Sequence, residues 1–354
     1  MITGLPGSES AYKAAGVDID AKTAAIARIR EQAQATLGAH AGPIGHFGGT
    51  WRIPSGPDQI LVASADGVGT KLHLAFTLGG NYNASVGHDI VNHCVNDILA
   101  LGAQGLFFLD YLAVGKLDPD VVTTVVGGVT AGCLENGLAL LGGETAEMPG
   151  LYAPGHYDLA GFIVGTVSPE RIVDGTQVRP GDIVIGLPSL GLHTNGFSLA
   201  RAILGLNQDP AHDLPILAGT IPGGQTWADA LMAPHRSYRE DVTPFLNEGI
   251  IHGMAHITGG GLKDNLPRAL PENCIARLDP VSWVTPMVFE QLVERGNVSL
   301  DERYRVFNMG VGFVLIAAEN QRDHILDTLP EARQIGEIVE RTTTDEAAVQ
   351  GLSC

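Results

Sequence analysis

One stretch, residues 61–97, constrains the fold most, because it combines a strand, a glycine-rich loop and a helix. Residues 61–65 are mostly apolar and predict a strand. A carboxylate, glycine amides, a hydroxyl and a lysine follow, which suits a phosphate and metal site at the C-terminal end of a strand. The residues concerned are Asp66, Gly67, Gly69, Thr70 and Lys71.

The helix predicted over residues 89–101 has two unlike faces. Its apolar residues recur at helical spacing, and its other face carries only short polar groups and one imidazole. Such side chains are typical of a face that holds a ligand close to the backbone. An ordinary exposed face with Asp89 as the N-cap is the alternative, and this stretch leaves both open. The polar residues are Asp89, Asn92, His93, Asn96 and Asp97.

Composition excludes several classes of protein. The formal net charge of −18 disfavours DNA and RNA as partners. No run of about 18 apolar residues predicts a membrane span, and no signal peptide is indicated, so a cytoplasmic protein is expected. Charged residues are only 17% of the 354 residues, which indicates much buried surface and favours an oligomer.

The order of predicted elements indicates two domains, 1–168 and 169–354. Strands over 60–65, 106–114, 138–141 and 158–167 alternate with long helices, which predicts mixed α and β layers. Turn residues dominate 168–180, and a second set of strands and helices begins at residue 182. Helices are also predicted over 18–37 and 234–248.

Acidic residues follow apolar runs at three separate places in the first half: Asp66, Asp97 and Glu144. Converging carboxylates are what a magnesium–nucleotide site requires, although each alone fits a capping or solvated role. In the second half, two glycine-containing loops each carry a histidine, His193 and His256. Both histidines are candidates for proton transfer or for hydrogen bonding to a substrate.

Known nucleotide-binding motifs are missing. The sequence has no Walker A motif, and the glycines at 67 and 69 lack the third glycine of a dinucleotide fingerprint. A P-loop protein and a Rossmann dehydrogenase are therefore disfavoured.

Nine segments, considered together, carry a resemblance. They lie at 12–20, 66–72, 94–98, 107–111, 142–150, 157–161, 193–198, 255–261 and 307–312, and they run in order along nearly the whole chain. Together they resemble the phosphoribosylformylglycinamidine cyclo-ligases, or aminoimidazole ribonucleotide (AIR) synthetases, of purine biosynthesis.

The resemblance implies an α+β fold and a homodimer. The N-terminal sheets would pair into a β-barrel flanked by helices, and each C-terminal domain would form an α/β layer. The reaction implied is ATP-dependent ring closure of formylglycinamidine ribonucleotide through phosphorylation of its formyl amide oxygen. The expected ligands are ATP, Mg²⁺ and this small-molecule substrate.

The resemblance also assigns residues. The magnesium ligands would be Asp66, Asp97 and Glu144. The groups near ATP would be Gly48, Gly49, Asp66, Gly67, Gly69, Thr70, Lys71 and Asn96, and the catalytic candidates would be His193, His256 and Lys71.

Other ATP-using members of the same superfamily remain alternatives. These are a formylglycinamidine synthase fragment, a selenophosphate synthetase and a thiamine-phosphate kinase. The absence of an N-terminal catalytic cysteine argues against the second, and residues 107–111 argue against the third. A nonenzymatic nucleotide-sensing dimer is a further alternative.

Overall fold

The structure is a computed structural model that describes residues 40, 42, 49–53 and 58–352. Two sheets organise these residues, one in each half of the chain. The predicted helix over 18–37 and the predicted nucleotide contact Gly48 lie outside the described residues.

The first sheet has five strands in the order β1-β2-β5-β3-β4. Three helices, α1 to α3, connect these strands. The bounds are β1 Gly49–Arg52, β2 Ile60–Gly67, α1 Leu72–Leu78, α2 Tyr82–Leu99, β3 Gln104–Val114, α3 Pro119–Glu135, β4 Ala139–Glu147 and β5 Tyr157–Val167.

The second sheet has six strands in the order β11-β8-β10-β6-β9-β7. Short helices surround it. The bounds are β6 Asp182–Pro188, α4 Phe197–Leu204, α5 Pro210–Leu217, α6 Trp227–Leu231, α7 Arg239–Glu248, β7 Ile251–His256, α8 Gly261–Asn265, β8 Cys274–Leu278, α9 Met287–Gly296, α10 Leu300–Val306, β9 Val311–Ala318, α11 Arg322–Thr328, β10 Arg333–Glu340 and β11 Val349–Gln350.

Helix α2 lies between the two halves. Its apolar side packs on the first sheet through residues such as Ile90, whose side chain lies beside Gly161 of β5. Its C-terminal Leu99 packs in a cluster with Tyr238 and Phe245 of the second half. The helix begins at Tyr82, seven residues before the predicted start, so Asp89 lies inside it and is not its N-cap.

The predicted helix over 234–248 begins only at Arg239. Residues 233–238 are non-helical and run along the polar face of α2; we call them the 233–238 segment. The mixed α and β layering predicted for both halves is confirmed. The predicted domain boundary at 168/169 lies between the last strand of the first sheet and the first strand of the second.

One face of the first sheet packs on α2, and the other is open among the described residues. Large apolar side chains occupy the open face, including Leu109, Leu141 and Phe162, which are 37%, 63% and 43% exposed. None of the described helices is long and apolar enough to span a bilayer.

Candidate active site

The end of β2 and the turn after it meet two loops of the second half; we call this junction the cleft. Thr70 and Ser198, from opposite sides, have their hydroxyl oxygens 3.0 Å apart. Asp66 and Gly69 are exposed. Gly69 has φ +72°, and a Cβ at this position would meet nothing within 4 Å, so space for a ligand remains beside its backbone.

Glycines shape the two loops on the opposite side of the cleft. Gly196 (φ +83°) and Gly260 (φ +102°) precede helices α4 and α8, and a Cβ at Gly196 would lie 2.6 Å from the ring of Phe307. Gly259 lies beside the side-chain oxygen of Asn195, which brings the two loops together. Each loop joins a strand to a helix, one from β6 to α4 and the other from β7 to α8.

Beneath the cleft lies a buried group of histidines from four parts of the chain: His93 of α2, His193 of the loop after β6, His235 of the 233–238 segment and His256 of β7. The Nε2 atoms of His235 and His256 are 3.1 Å apart. Thr194 Oγ1 lies 2.8 Å from His93 Nδ1 and 3.4 Å from His235 Nδ1.

The histidine group connects to two carboxylates. Asp97 Oδ1 lies 2.8 Å from His256 Nδ1, and Asp97 Oδ2 accepts a hydrogen bond from Ser64 at 2.8 Å. Asp66 Oδ2 lies 2.9 Å from His93 Nε2. The structure therefore brings Asp66 and Asp97 together around His93, with ligand atoms within 4.8 Å of one another.

The histidines differ in charge preference. Burial alone lowers the pKa of His93, but the charges of Asp66 and Asp97 outweigh it and raise this pKa to about 9. Burial lowers the pKa of His256 despite its bond to Asp97, and it lowers the pKa of His193 and His235 well below the usual value. His93 is thus the cation of the group.

Glu144 does not join the other two predicted metal ligands in this chain. Across the sheet, Asp66 of β2 pairs with Gly161 of β5, which pairs with Asp110 of β3, which in turn pairs with Gly143 of β4. These four positions share the face that packs against α2. Because side chains alternate along a strand, Glu144 points to the opposite face. It also lies on the edge strand β4, three strands from β2.

Lys71 does not face the cleft, contrary to its predicted roles at the phosphates and in catalysis. Its Nζ lies 2.7 Å from Asp89 Oδ2 and donates to the backbone oxygen of Ala233 at 2.9 Å. Both charged side chains are fully buried. The lysine instead connects the first half to the 233–238 segment.

Asn96 also serves the chain itself and not a nucleotide. Its amide donates to the backbone oxygen of Arg236 at 2.8 Å and accepts from the backbone N–H of Tyr238 at 3.0 Å. Asn92 donates to the backbone oxygen of His235, and Asp89 accepts from the backbone N–H of His235. The polar face of α2 therefore binds the 233–238 segment of the same chain.

The remaining predicted residues lie at varied depths. Gly49 pairs with Ala63 in the ladder between β1 and β2. Gly67 follows Asp66, whose Oδ1 accepts from the Gly67 N–H at 2.7 Å. His193 is buried at φ +60° and stacks on His235 with ring centres 4.1 Å apart, and its nitrogens have no hydrogen-bond partner among the described residues.

Sequence reasoning missed His235 and Thr194. His235 lies in a stretch that was predicted to be helical, and nothing in its local sequence distinguishes it. Nothing in the local sequence marks Thr194 either, although its hydroxyl lies between two buried imidazoles.

Two protein-family models match the chain, one in each half. The N-terminal domain of "AIR synthase related protein" matches residues 46–167, and its C-terminal domain matches residues 179–346. The chain belongs to the AIR synthase family. Together, the two matches span most of both described sheets.

Named relatives within the AIR synthase family are close. A phosphoribosylformylglycinamidine cyclo-ligase of Thermosynechococcus vestitus is 49% identical over 308 residues, covering 86% of this chain and 88% of the relative. Another of the same name, from Chromobacterium violaceum, is 45% identical over 336 residues, covering 93% and 95%.

Solved structures share the fold of this AIR synthase family member at low identity. "AaThiL complexed with AMPPCP and TMP" has a TM-score of 0.64 at 16% identity, covering 92% of this chain and 93% of that one. The hydrogenase maturation protein HypE in complex with ATP has a TM-score of 0.60 at 18% identity, covering 84% and 83%.

Proposed function

We propose that the chain catalyses ATP-dependent cyclisation of formylglycinamidine ribonucleotide to 5-aminoimidazole ribonucleotide. The observation that carries the proposal is 45–49% identity, over most of the chain, to proteins named phosphoribosylformylglycinamidine cyclo-ligase. The reaction transfers the γ-phosphoryl group of ATP to the formyl amide oxygen. The amidine nitrogen then attacks the formyl carbon and displaces the phosphate. Loss of a proton leaves the imidazole, and ADP is the other product.

The cleft between the halves is the site proposed for this reaction. Phosphorylation converts a poor leaving group into a good one, so the protein mainly positions reactants and stabilises charge. The backbone at Gly67 and Gly69 can approach phosphate oxygens closely, and Thr70 and Ser198 offer hydroxyl donors. That AaThiL and HypE bind AMPPCP and ATP on the same fold supports ATP as the phosphoryl donor here.

The carboxylates fit a magnesium ion in part. Asp66 is accessible and presents oxygen ligands beside the glycine loop, as a hard cation prefers. The oxygens of both carboxylates already contact protein groups. Asp97 lies deeper, because its side chain is 9% exposed and that of Asp66 is 48% exposed. We therefore assign Asp66 as the residue of this chain that would hold magnesium. A magnesium ion bound there supplies positive charge for the triphosphate.

We also propose that the protein is a homodimer through the open face of its first sheet. Exposed apolar patches of this kind mark interaction sites. The patch includes Leu106, Leu109 and Phe162 on neighbouring strands β3 and β5, so a second flat apolar face suits it. A second copy supplies such a face, and pairing the two would form the expected barrel.

Asp66→Asn tests the site with little change of shape. We expect kcat/KM to fall by about 10²–10³-fold, as when a group that stabilises charge is removed. Asp58→Asn, an exposed acid on the segment before β2, is the matched control and keeps wild-type turnover. Wild-type turnover in Asp66→Asn would remove this carboxylate from the reaction.

A further inference from the structure

Three buried imidazoles beneath the cleft form a nearly regular triangle. The ring centres of His93, His235 and His256 are 5.1, 5.0 and 5.2 Å apart, and their planes are inclined by 64°, 72° and 60°. One ring nitrogen of each lies within 4.8 Å of the other two. We propose that these three histidines form a binding site for a first-row transition-metal ion of the Zn²⁺ class.

The spacing agrees with the coordination geometry of such an ion. Three imidazoles held at about 2.0–2.1 Å around a tetrahedral ion place their ligand nitrogens about 3.3 Å apart and their ring centres roughly 5 Å apart. The Nε2 atoms of His235 and His256 are 3.1 Å apart, and all three ring distances match. Ions of this class favour imidazole, whereas magnesium favours oxygen ligands.

The opposite ring nitrogens are held as metal-binding histidines require. A ligating imidazole normally uses its second nitrogen in a hydrogen bond that fixes the ring. His256 Nδ1 contacts Asp97, and the Nδ1 atoms of His93 and His235 both contact Thr194 Oγ1. The Nε2 atoms of His235 and His256 thereby face each other, 3.1 Å apart.

His93 carries the positive charge of the triangle when no ion is bound. Its side chain is buried, and its Nε2 lies 2.9 Å from Asp66 Oδ2, a contact that helps to raise the pKa of His93. A divalent ion between His93 and the other imidazoles would take the place of this imidazolium charge beside Asp66.

Charge and access also suit a divalent cation. Asp66 and Asp97 together carry two negative charges within reach of the imidazoles, which would balance the ion. The Asp66 side chain is 48% exposed, so an ion can reach the imidazoles from the cleft past this residue. An ion that binds displaces the proton otherwise held by His93.

Such an ion would join the two halves of the chain. His93 belongs to α2 of the first half, His235 to the 233–238 segment and His256 to β7 of the second sheet. The inference is independent of the proposed reaction, because it concerns metal affinity and not turnover.

Co²⁺ is the probe, because tetrahedral Co²⁺ with nitrogen ligands absorbs visible light intensely. The full-length protein, stripped with chelator, is titrated with Co²⁺ in excess Mg²⁺. We expect one equivalent bound, with an intense tetrahedral spectrum that one equivalent of Zn²⁺ abolishes. His235→Asn and His256→Asn should each weaken Co²⁺ binding at least tenfold. His252→Asn, four residues earlier on β7 and paired with Asp182, is the matched control and should bind as wild type.

Three results would overturn the inference, and the first two need no variant. If the wild-type protein binds no Co²⁺ or Zn²⁺, the histidines are held only by their hydrogen bonds to Thr194 and Asp97. Loss of Co²⁺ when Mg²⁺ is added would place the ion on the carboxylates alone. Equal loss of affinity in His252→Asn and His235→Asn would indicate surface binding.

Discussion

Lys71→Met should destabilise the fold by about 3–5 kcal/mol, because it removes one partner of a fully buried ion pair. Lys71 Nζ is 2.7 Å from Asp89 Oδ2 and also donates to the backbone oxygen of Ala233. Without the lysine, Asp89 keeps one hydrogen bond within the described part of the chain, from the His235 N–H to Oδ1 at 2.7 Å. Its carboxylate charge would then be buried without compensation.

A double variant separates the ion pair from general packing. Lys71→Met combined with Asp89→Asn removes both charges and keeps an acceptor for His235, so it should recover much of the loss. Lys116→Met changes an exposed lysine and should stay within about 0.5 kcal/mol of wild type. Urea unfolding gives the free energies, and ATP affinity is measured on the same samples. Wild-type stability with a tenfold weaker ATP affinity in Lys71→Met would refute the structural role and restore the predicted phosphate contact.

Three further expectations follow. Asn96→Leu should lower the free energy of unfolding by about 1–3 kcal/mol for each backbone group of the 233–238 segment that loses its partner, the Arg236 oxygen and the Tyr238 N–H. Unchanged urea unfolding would contradict this. Phe162→Glu should shift the mass measured by light scattering from dimer to monomer. Val281→Glu, at an apolar position in the second half that is 88% exposed against 43% for Phe162, should leave the dimer intact; a dimer in both variants would refute the proposed interface. Burial and nearby positive charge lower the pKa of His73 to about 4, below its unfolded value of 6.5, so the free energy of unfolding should fall as pH drops from 6.5 towards 4. His73→Gln should lose less stability over this pH range. Parallel stability curves for the variant and the wild type would exclude a contribution from His73.

Strands and helices with strong patterns could be predicted from the sequence. The strands predicted over 60–65, 106–114 and 158–167 coincide with β2, β3 and β5 to within two residues at each end. These elements follow from local periodicity, which tertiary contacts here reinforce.

The partners of polar side chains could not be predicted in this way. The polar face of α2 suggested a ligand, but it binds the 233–238 segment, about 140 residues further along the chain. Lys71 follows a glycine loop that suggests exposure, yet Asp89 and the 233–238 segment bury it. Nothing local in the sequence encodes such distant contacts.

Glu144 shows a second limit. Its strand was predicted to end at residue 141, but β4 continues to Glu147. Because side chains alternate along a strand, a carboxylate within it can reach only one face of the sheet, and Glu144 lies on the face opposite to that of Asp66. Local sequence did not reveal either the length of the strand or this choice of face.

The most direct test of the proposed activity is a stoichiometric assay with purified protein, Mg²⁺ and ATP. We predict that ADP forms only when formylglycinamidine ribonucleotide is present, with one aminoimidazole ribonucleotide formed per ADP. ADP formation that thiamine monophosphate supports and formylglycinamidine ribonucleotide does not, or ATP binding without any turnover, would contradict it.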